Sequence, residues 1–222
     1  MDIKVIGLGG IGSCLTPTLL RFLQHRDPTS TVTFVDGDSY EERNRDRQSF
    51  DEYGNKAEVT CTRMQKEFPL LCLRSVPEFV ADDNVSSLIY NEDTVFACVD
   101  NHATRKLISE WAEKLSDIAI ISAGNSFTTG TIQVFARQAK NSLTLPLTNE
   151  FHPEIKNPED FHPLHGGCMA LGPAEPQLVI TNNLAAAIML AVFYDLLQGP
   201  LEYDEILFDI TSGNCRAVRR RQ

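Results

Sequence analysis

Over the first 130 residues, short continuous apolar runs alternate with segments of helical period. The runs are IKVIGLG (3–9), TVTFVDGD (31–38), RSVPEFV (74–80), DTVFACVD (93–100) and IAIISAGN (118–125). Helical spacing covers about 13–25, 56–68 and 102–115. Strands apolar throughout, separated by helices, predict a parallel sheet covered on both faces, whereas a half-exposed antiparallel sheet would alternate apolar and polar positions. The expected fold is therefore α/β, a Rossmann-like doubly wound sheet. After Gly130 the pattern changes: GTIQVFARQ (130–138) and EILFDITSGNCRAVRR (205–220) suit antiparallel additions, so the sheet is expected to be mostly parallel with antiparallel C-terminal strands. Between them, 144–176 is rich in proline, histidine and acids and has little periodicity, an irregular crossover of a length that is usually functional. One domain over 1–222 is expected.

Charge narrows the partners. A formal net charge of -10 argues against nucleic acid and anionic membrane surfaces, which would repel the chain. NLAAAIMLAVFYDLLQG (183–199) has only about 14 apolar or small residues before Asp195, short of the roughly 20 needed to cross a bilayer, and reads as a buried core helix. Met1 is followed almost at once by the first apolar run, which leaves no room for a signal peptide. The 6 cysteines (14, 61, 72, 98, 168, 215) form no CxxC pair, so a cytoplasmic location is expected and a structural zinc is not. His152, His162, His165 and Cys168 offer another metal set, but histidines beside loop prolines read more readily as exposed turn residues.

The chemistry begins at VIGLGGIGSCLTPTLL (5–20). Gly7, Gly9, Gly10 and Gly12 stand where a strand gives way to a helix, and a turn without Cβ atoms lets the backbone approach a phosphate at the positive helix end. Asp36 ends the second strand, where a carboxylate grips ribose hydroxyls. Asp38, Asn44, Arg47 and Gln48 follow at once, and Lys56 opens the next helix. Cations beside a ribose have little use in a dehydrogenase, but a triphosphate losing pyrophosphate needs them on its oxygens. Asp100 and Asn101 end a later strand on the same sheet edge, and a carboxylate beside phosphates suits Mg²⁺. Each residue also has a plainer role: Asp36 in a strand-end turn, Arg47 and Lys56 on a solvated helix face, Asp100 and Asn101 as a helix cap.

GxGGIGS, the D-x-D-x(5)-N-x(2)-R-Q run, the lysine eight residues further on and the CxDN-x(3)-R box together resemble the ThiF/MoeB family, and the likeness covers nearly the whole chain. The resemblance implies ATP-dependent adenylation of the C-terminal glycine carboxylate of a ubiquitin-like or sulfur-carrier protein. It implies that Asp36 holds the ribose, that Asn44 and Arg47 contact ribose and phosphates, that Lys56 sits on the α- and β-phosphates and that Asp100 positions Mg²⁺. It places Cys168 where relatives carry a cysteine that takes up the activated carboxylate or a persulfide, and it implies a homodimer. Relatives bring an arginine from an N-terminal helix into the partner's site. Here the first strand starts at Ile3, so Arg43, Arg45, Arg47 or another subunit is expected to supply that charge. A nucleotide-binding scaffold subunit, or adenylation of a tRNA or peptide carboxylate, are the alternative readings.

Overall fold

The computed structural model describes residues 1–46, 48–164 and 178–220. A 9-stranded sheet forms the core, built from β1 (Asp2–Ile6), β2 (Thr31–Val35), β3 (Cys72–Val76), β4 (Thr94–Ala97), β5 (Ile118–Asn125), β6 (Thr129–Gln138), β7 (Asn141–Ser142), β8 (Glu205–Asp209) and β9 (Asn214–Val218). The order is β3-β2-β1-β4-β5-β6-β8-β9, with β7 paired to β6 off this path. Pairing is parallel from β3 through β5 and antiparallel from β5 onward. This is the mixed doubly wound sheet the apolar runs predict.

Helices cover both faces. On one, α1 (Gly10–Arg26), α2 (Lys56–Glu67) and α6 (Val179–Gln198) pack Leu15, Leu19, Leu23, Met64, Met189 and Phe193 against Ile3, Phe34 and Phe96. On the other, α3 (Val85–Leu88), α4 (His102–Ala112) and α5 (Pro153–Lys156) place Val85, Ile108 and Ile155 over Ile6, Val95, Ile120 and Phe135. Alternate residues of one strand feed opposite layers, which is why these strands are apolar without a break.

The crossover 144–164 carries α5 and is anchored at several points: Thr144 Oγ1 accepts from Ala136 N, Leu147 N donates to Ser109 Oγ, and Ile155 is fully packed. Among the described residues of this segment the one regular element is the short helix α5. Helix α6 is long and apolar enough to cross a membrane by length and composition, but in the fold it lines the core against α1, β5 and β6.

Three boundaries differ from expectation. The third strand is Cys72–Val76, not 74–80, because Pro77 has no N–H to continue the ladder. α1 starts at Gly10 rather than near residue 13. The C-terminal run is a hairpin of β8 and β9, turning where Gly213 adopts φ 70°, a left-handed conformation that favours glycine.

Candidate functional site

β1 lies between β2 and β4, so the strand order reverses around it and the carboxyl ends of the three strands open a crevice, where ligands bind in sheets of this kind. The glycine turn spans the gap from Ile6 to Gly10, and its glycines have different work. Gly7 has φ 87°, and a Cβ there would lie 2.8 Å from the Cys98 carbonyl oxygen, so this glycine lets β1 and β4 close up. A Cβ on Gly12 would lie 2.0 Å from the Gly7 carbonyl oxygen, so this position must be bare for α1 to fold back on the turn. Gly9 is the open one: a Cβ there would meet nothing within 4 Å. Gly9 N-caps α1 without any side-chain hydrogen bond, and Gly10 is the first helical residue. The positive end of α1 therefore has no side-chain cap from Gly9, and the space above Gly9 is open.

Asp36 is buried and bonded within the protein. Its Oδ2 accepts from Leu8 N at 2.6 Å and its Oδ1 from Asp38 N at 2.8 Å, so the carboxylate ties the end of β2 to the glycine turn. Burial pushes its pKa up, opposed by Lys56 and by both N–H donors. Lys56, also buried, starts α2, and its Nζ lies 3.0 Å from Asp38 Oδ2 at the crevice surface. Asn55 fixes this corner: Oδ1 caps α2 through Ala57 N and Glu58 N, and Nδ2 reaches back to the carbonyls of Asp36 and Asp38.

The loop between β2 and α2 is a compact wall. Asn44 closes a single 3-10 turn (Glu42–Asn44), its Oδ1 accepting from Glu41 N, and Gln48 N donates to Asn44 O. Gln48 is buried, and its Oε1 has no hydrogen-bond partner among the described residues. Tyr40 stacks on Phe50 at 4.4 Å, and the Arg45 guanidinium lies 4.5 Å over Phe50. Arg45 also pairs with Glu42, and Arg43 with Glu41. Both arginines are thus tied to this loop. Arg47, His165 and Cys168 lie outside the described residues.

On the opposite side of β1, Asp100 is exposed, and Asn101 caps α4 through Thr104 N at 2.8 Å. The crossover adds a second cap: Asp160 accepts from His102 N at 2.5 Å and Ala103 N at 3.0 Å. His162 Nε2 meets the Val80 carbonyl, while His152 sits between Glu154 (2.9 Å) and Glu205 (2.7 Å). The two histidines hold different elements rather than one centre.

Sequence reasoning passed over Phe79, whose half-buried ring lies across Gly37, so that a Cβ there would be 2.5 Å from it. This puts an aromatic face beside the end of β2. It also missed Asn55 and Asp160. Asn55 had a signal, the N-x-x-E spacing to Glu58 at a helix start, whereas Asp160 acts over 58 residues and had none.

The pattern that defines the ThiF family matches residues 1–196, and the chain belongs to that family. It is 26% identical over 198 residues to the adenylyltransferase and sulfurtransferase UBA4 of Vanderwaltozyma polyspora, an alignment covering 87% of this chain and 42% of that protein. In fold it is similar to E. coli MccB crystallised with ATP, at TM-score 0.70 and 16% identity, covering 98% of this chain and 63% of that one. MccB with MccA-N7isoASN superposes at TM-score 0.75 and 15% identity, covering 99% and 65%. The chain spans less than two thirds of the length of these relatives.

Proposed function

We propose that the protein is an ATP-dependent adenylyltransferase that activates the C-terminal carboxylate of a small sulfur-carrier or ubiquitin-like protein ending in glycine. The observation that carries this reading is the convergence of the uncovered N-terminus of α1 at Gly9, the Lys56 ammonium on Asp38 and the exposed Asp100 around one switch-point crevice. The residues fit a nucleoside triphosphate. The N–H groups at Gly9 and Gly10 would take phosphate oxygens, and Lys56 would leave Asp38 for the α- and β-phosphates. The β2 end at Asp36, with Asn44 and Gln48 beside it, would take the ribose, and Phe79 would give the base a flat apolar wall.

No group of three His, Cys, Asp or Glu suited to a metal occurs among the described residues. Mg²⁺ would therefore take one carboxylate, Asp100, with the rest of its shell from phosphate and water, as this ion commonly does. What the protein contributes is alignment of an external carboxylate with the α-phosphorus and cations for the charge that spreads over the departing pyrophosphate.

The acceptor class rests on the UBA4 likeness, and the MccB structures, which include MccA, favour a peptide C-terminus as the second reading. Arg47 as a further phosphate ligand, Asn101 beside the nucleotide, Cys168 as a thioester or persulfide carrier, a homodimer and a cytoplasmic site of action belong to the same proposal. The test is exchange of pyrophosphate into ATP with Mg²⁺ and candidate acceptors. Exchange that requires a carrier protein with a C-terminal glycine supports the reading, and exchange with a short peptide alone selects the second. No exchange with either, together with no binding of ATP, overturns both. Non-reducing electrophoresis of wild type and Cys168→Ala then reads the thiol step: a thiol-sensitive adduct that persists in the variant removes Cys168 from it, and no adduct in either protein makes the adenylate the final product.

A further inference from the structure

The Arg105 side chain points from α4 into the sheet and is almost wholly buried, at 8% exposure. One of its terminal nitrogens donates to the Val99 carbonyl and to the Ala123 carbonyl, each at 2.8 Å. Its Nε is buried with no hydrogen-bond partner, and no carboxylate pairs with it among the described residues. The backbone is cleared for it as well, since a Cβ on Gly124 would lie 2.5 Å from the other terminal nitrogen.

A cation this deep is costly unless it is paired, and two neutral carbonyls offset only part of that cost. A leucine or methionine would fill the space more favourably. The position of the two carbonyls shows what the charge does. Val99 immediately precedes Asp100 in the turn from β4 to α4, and Ala123 belongs to the carboxyl end of β5. One terminal nitrogen thus clamps two adjacent strand ends at the crevice, and the rest of the planar group, which lies over Gly124, fixes its orientation in a way that a flexible lysine stem does not. Burial lowers the Arg105 pKa, and among the nearby charges that oppose this Asp100 comes first.

We infer that Arg105 is the positioning residue for Asp100, clamping the β4–α4 turn to β5 so that the carboxylate is held at the crevice in one place. This rests on the ATP site proposed above. A group acting through a metal-binding carboxylate typically changes metal affinity by about 10–100-fold when replaced.

The test is calorimetric binding of ATP, with and without Mg²⁺, to wild type, Arg105→Lys, Gly124→Ala, Asp100→Ala and the Arg105→Lys/Asp100→Ala double variant, with melting curves for each. Arg105→Lys is expected to weaken MgATP by at least about tenfold, to leave metal-free ATP within about twofold, and to add nothing once Asp100 is gone. Gly124→Ala, which keeps Arg105 but crowds it, is expected to do the same and keeps the idea testable if the lysine variant folds poorly. Lower melting temperatures with unchanged MgATP affinity would make Arg105 a structural staple and overturn the inference. Independent, additive losses from Arg105→Lys and Asp100→Ala would also overturn it. If wild type binds no ATP, with or without Mg²⁺, the ATP site itself fails and the inference falls with it, a result distinct from either of the others.

Discussion

The glycine turn separates two kinds of constraint that look the same in sequence. At Gly12 a Cβ would collide with a backbone oxygen 2.0 Å away, and at Gly9 it would stand in open space. Gly12→Ala is therefore expected to destabilise the fold by about 1–3 kcal/mol through overpacking, visible as a lower denaturation midpoint. Gly9→Ala should keep the wild-type midpoint and lose ATP affinity, because its methyl would cover the N–H groups at the head of α1. Equal stability losses in the two variants would mean that Gly9 also serves packing. Asp100→Ala opens no core cavity, since the residue is exposed. Pyrophosphate exchange should fall by on the order of 10²-fold or more, the scale of removing one electrostatic partner of a transferring group, with an unchanged melting curve. Near-wild-type exchange would leave Asp100 only a neighbour of the Asn101 cap. Of the readings offered for Asp36 in the sequence, the structure shows the strand-end turn, in which its carboxylate holds Leu8 N and Asp38 N at the end of β2. Residues whose spacing is local, such as the glycines, Asp36 and Lys56, were legible before the structure. Arg105 was visible only as the last letter of a box, because its clamp on Ala123 joins elements whose register a linear pattern does not contain.

Elements were legible where hydrophobic period and flanking polar residues agreed, as for β1, β2, α2 and β4. They were misplaced where a single residue overrode the pattern. Pro77 ends β3 although Phe79 and Val80 continue the apolar run, and those two residues instead turn to Gly37 and the core. The crossover was the least legible element because its order comes from distant partners. Asp160 caps α4, and His152 bridges Glu154 and Glu205 while Arg220 pairs with Glu205 from the C-terminal side. Burial pulls the His152 pKa down, but its hydrogen bonds to Glu205 and Glu154 outweigh this and leave it raised. Both glutamates are held below their ordinary values despite burial, Glu154 by its own backbone N–H and then by His152, and Glu205 by His152 and then Arg220. A raised histidine pKa stabilises the fold below the unfolded value of about 6.5, and this contribution is lost as pH rises through the folded value. Melting curves are therefore expected to show the stability difference between wild type and His152→Gln shrinking as pH rises above about 6.5. A difference that stays constant or grows over that range would show that the bridge does not depend on the imidazolium.

At the scale of the molecule, one helix carries more apolar surface than the sheet can cover. Over α6 the mean hydropathy reaches 1.6, yet only 44% of that window is buried. The inner side is spent on α1, β5 and β6, with Ala185, Met189, Val192 and Phe193 in the core. The outer side leaves Ile180, Ala187, Ala191 and Tyr194 exposed along one stripe, with Leu184 and Leu190 half-covered between them and the polar Asn183 and Gln198 exposed at its side and end. Tyr194 lies edge-on to Phe22 of α1 at 6.4 Å, which extends the stripe across two helices. A contiguous apolar band of this kind on a chain with net charge -10 is best covered by a matching band, and a two-fold contact would set each stripe against its copy. The small residues Ala187 and Ala191 at its centre would let two such helices approach closely. Light scattering is accordingly expected to give a dimer mass at micromolar concentration, and Ala191→Arg to give a monomer, because it puts a charge at the middle of the contact with no core atom moved. The monomeric variant should keep the wild-type circular dichroism spectrum. Its adenylation activity then distinguishes two cases: unchanged turnover means that each subunit completes its own site, whereas lost turnover that returns on mixing with an Asp100→Ala protein of intact α6 means that a cation comes across the interface. A monomer mass for the wild type throughout the micromolar range would remove the homodimer and leave the stripe to a different protein.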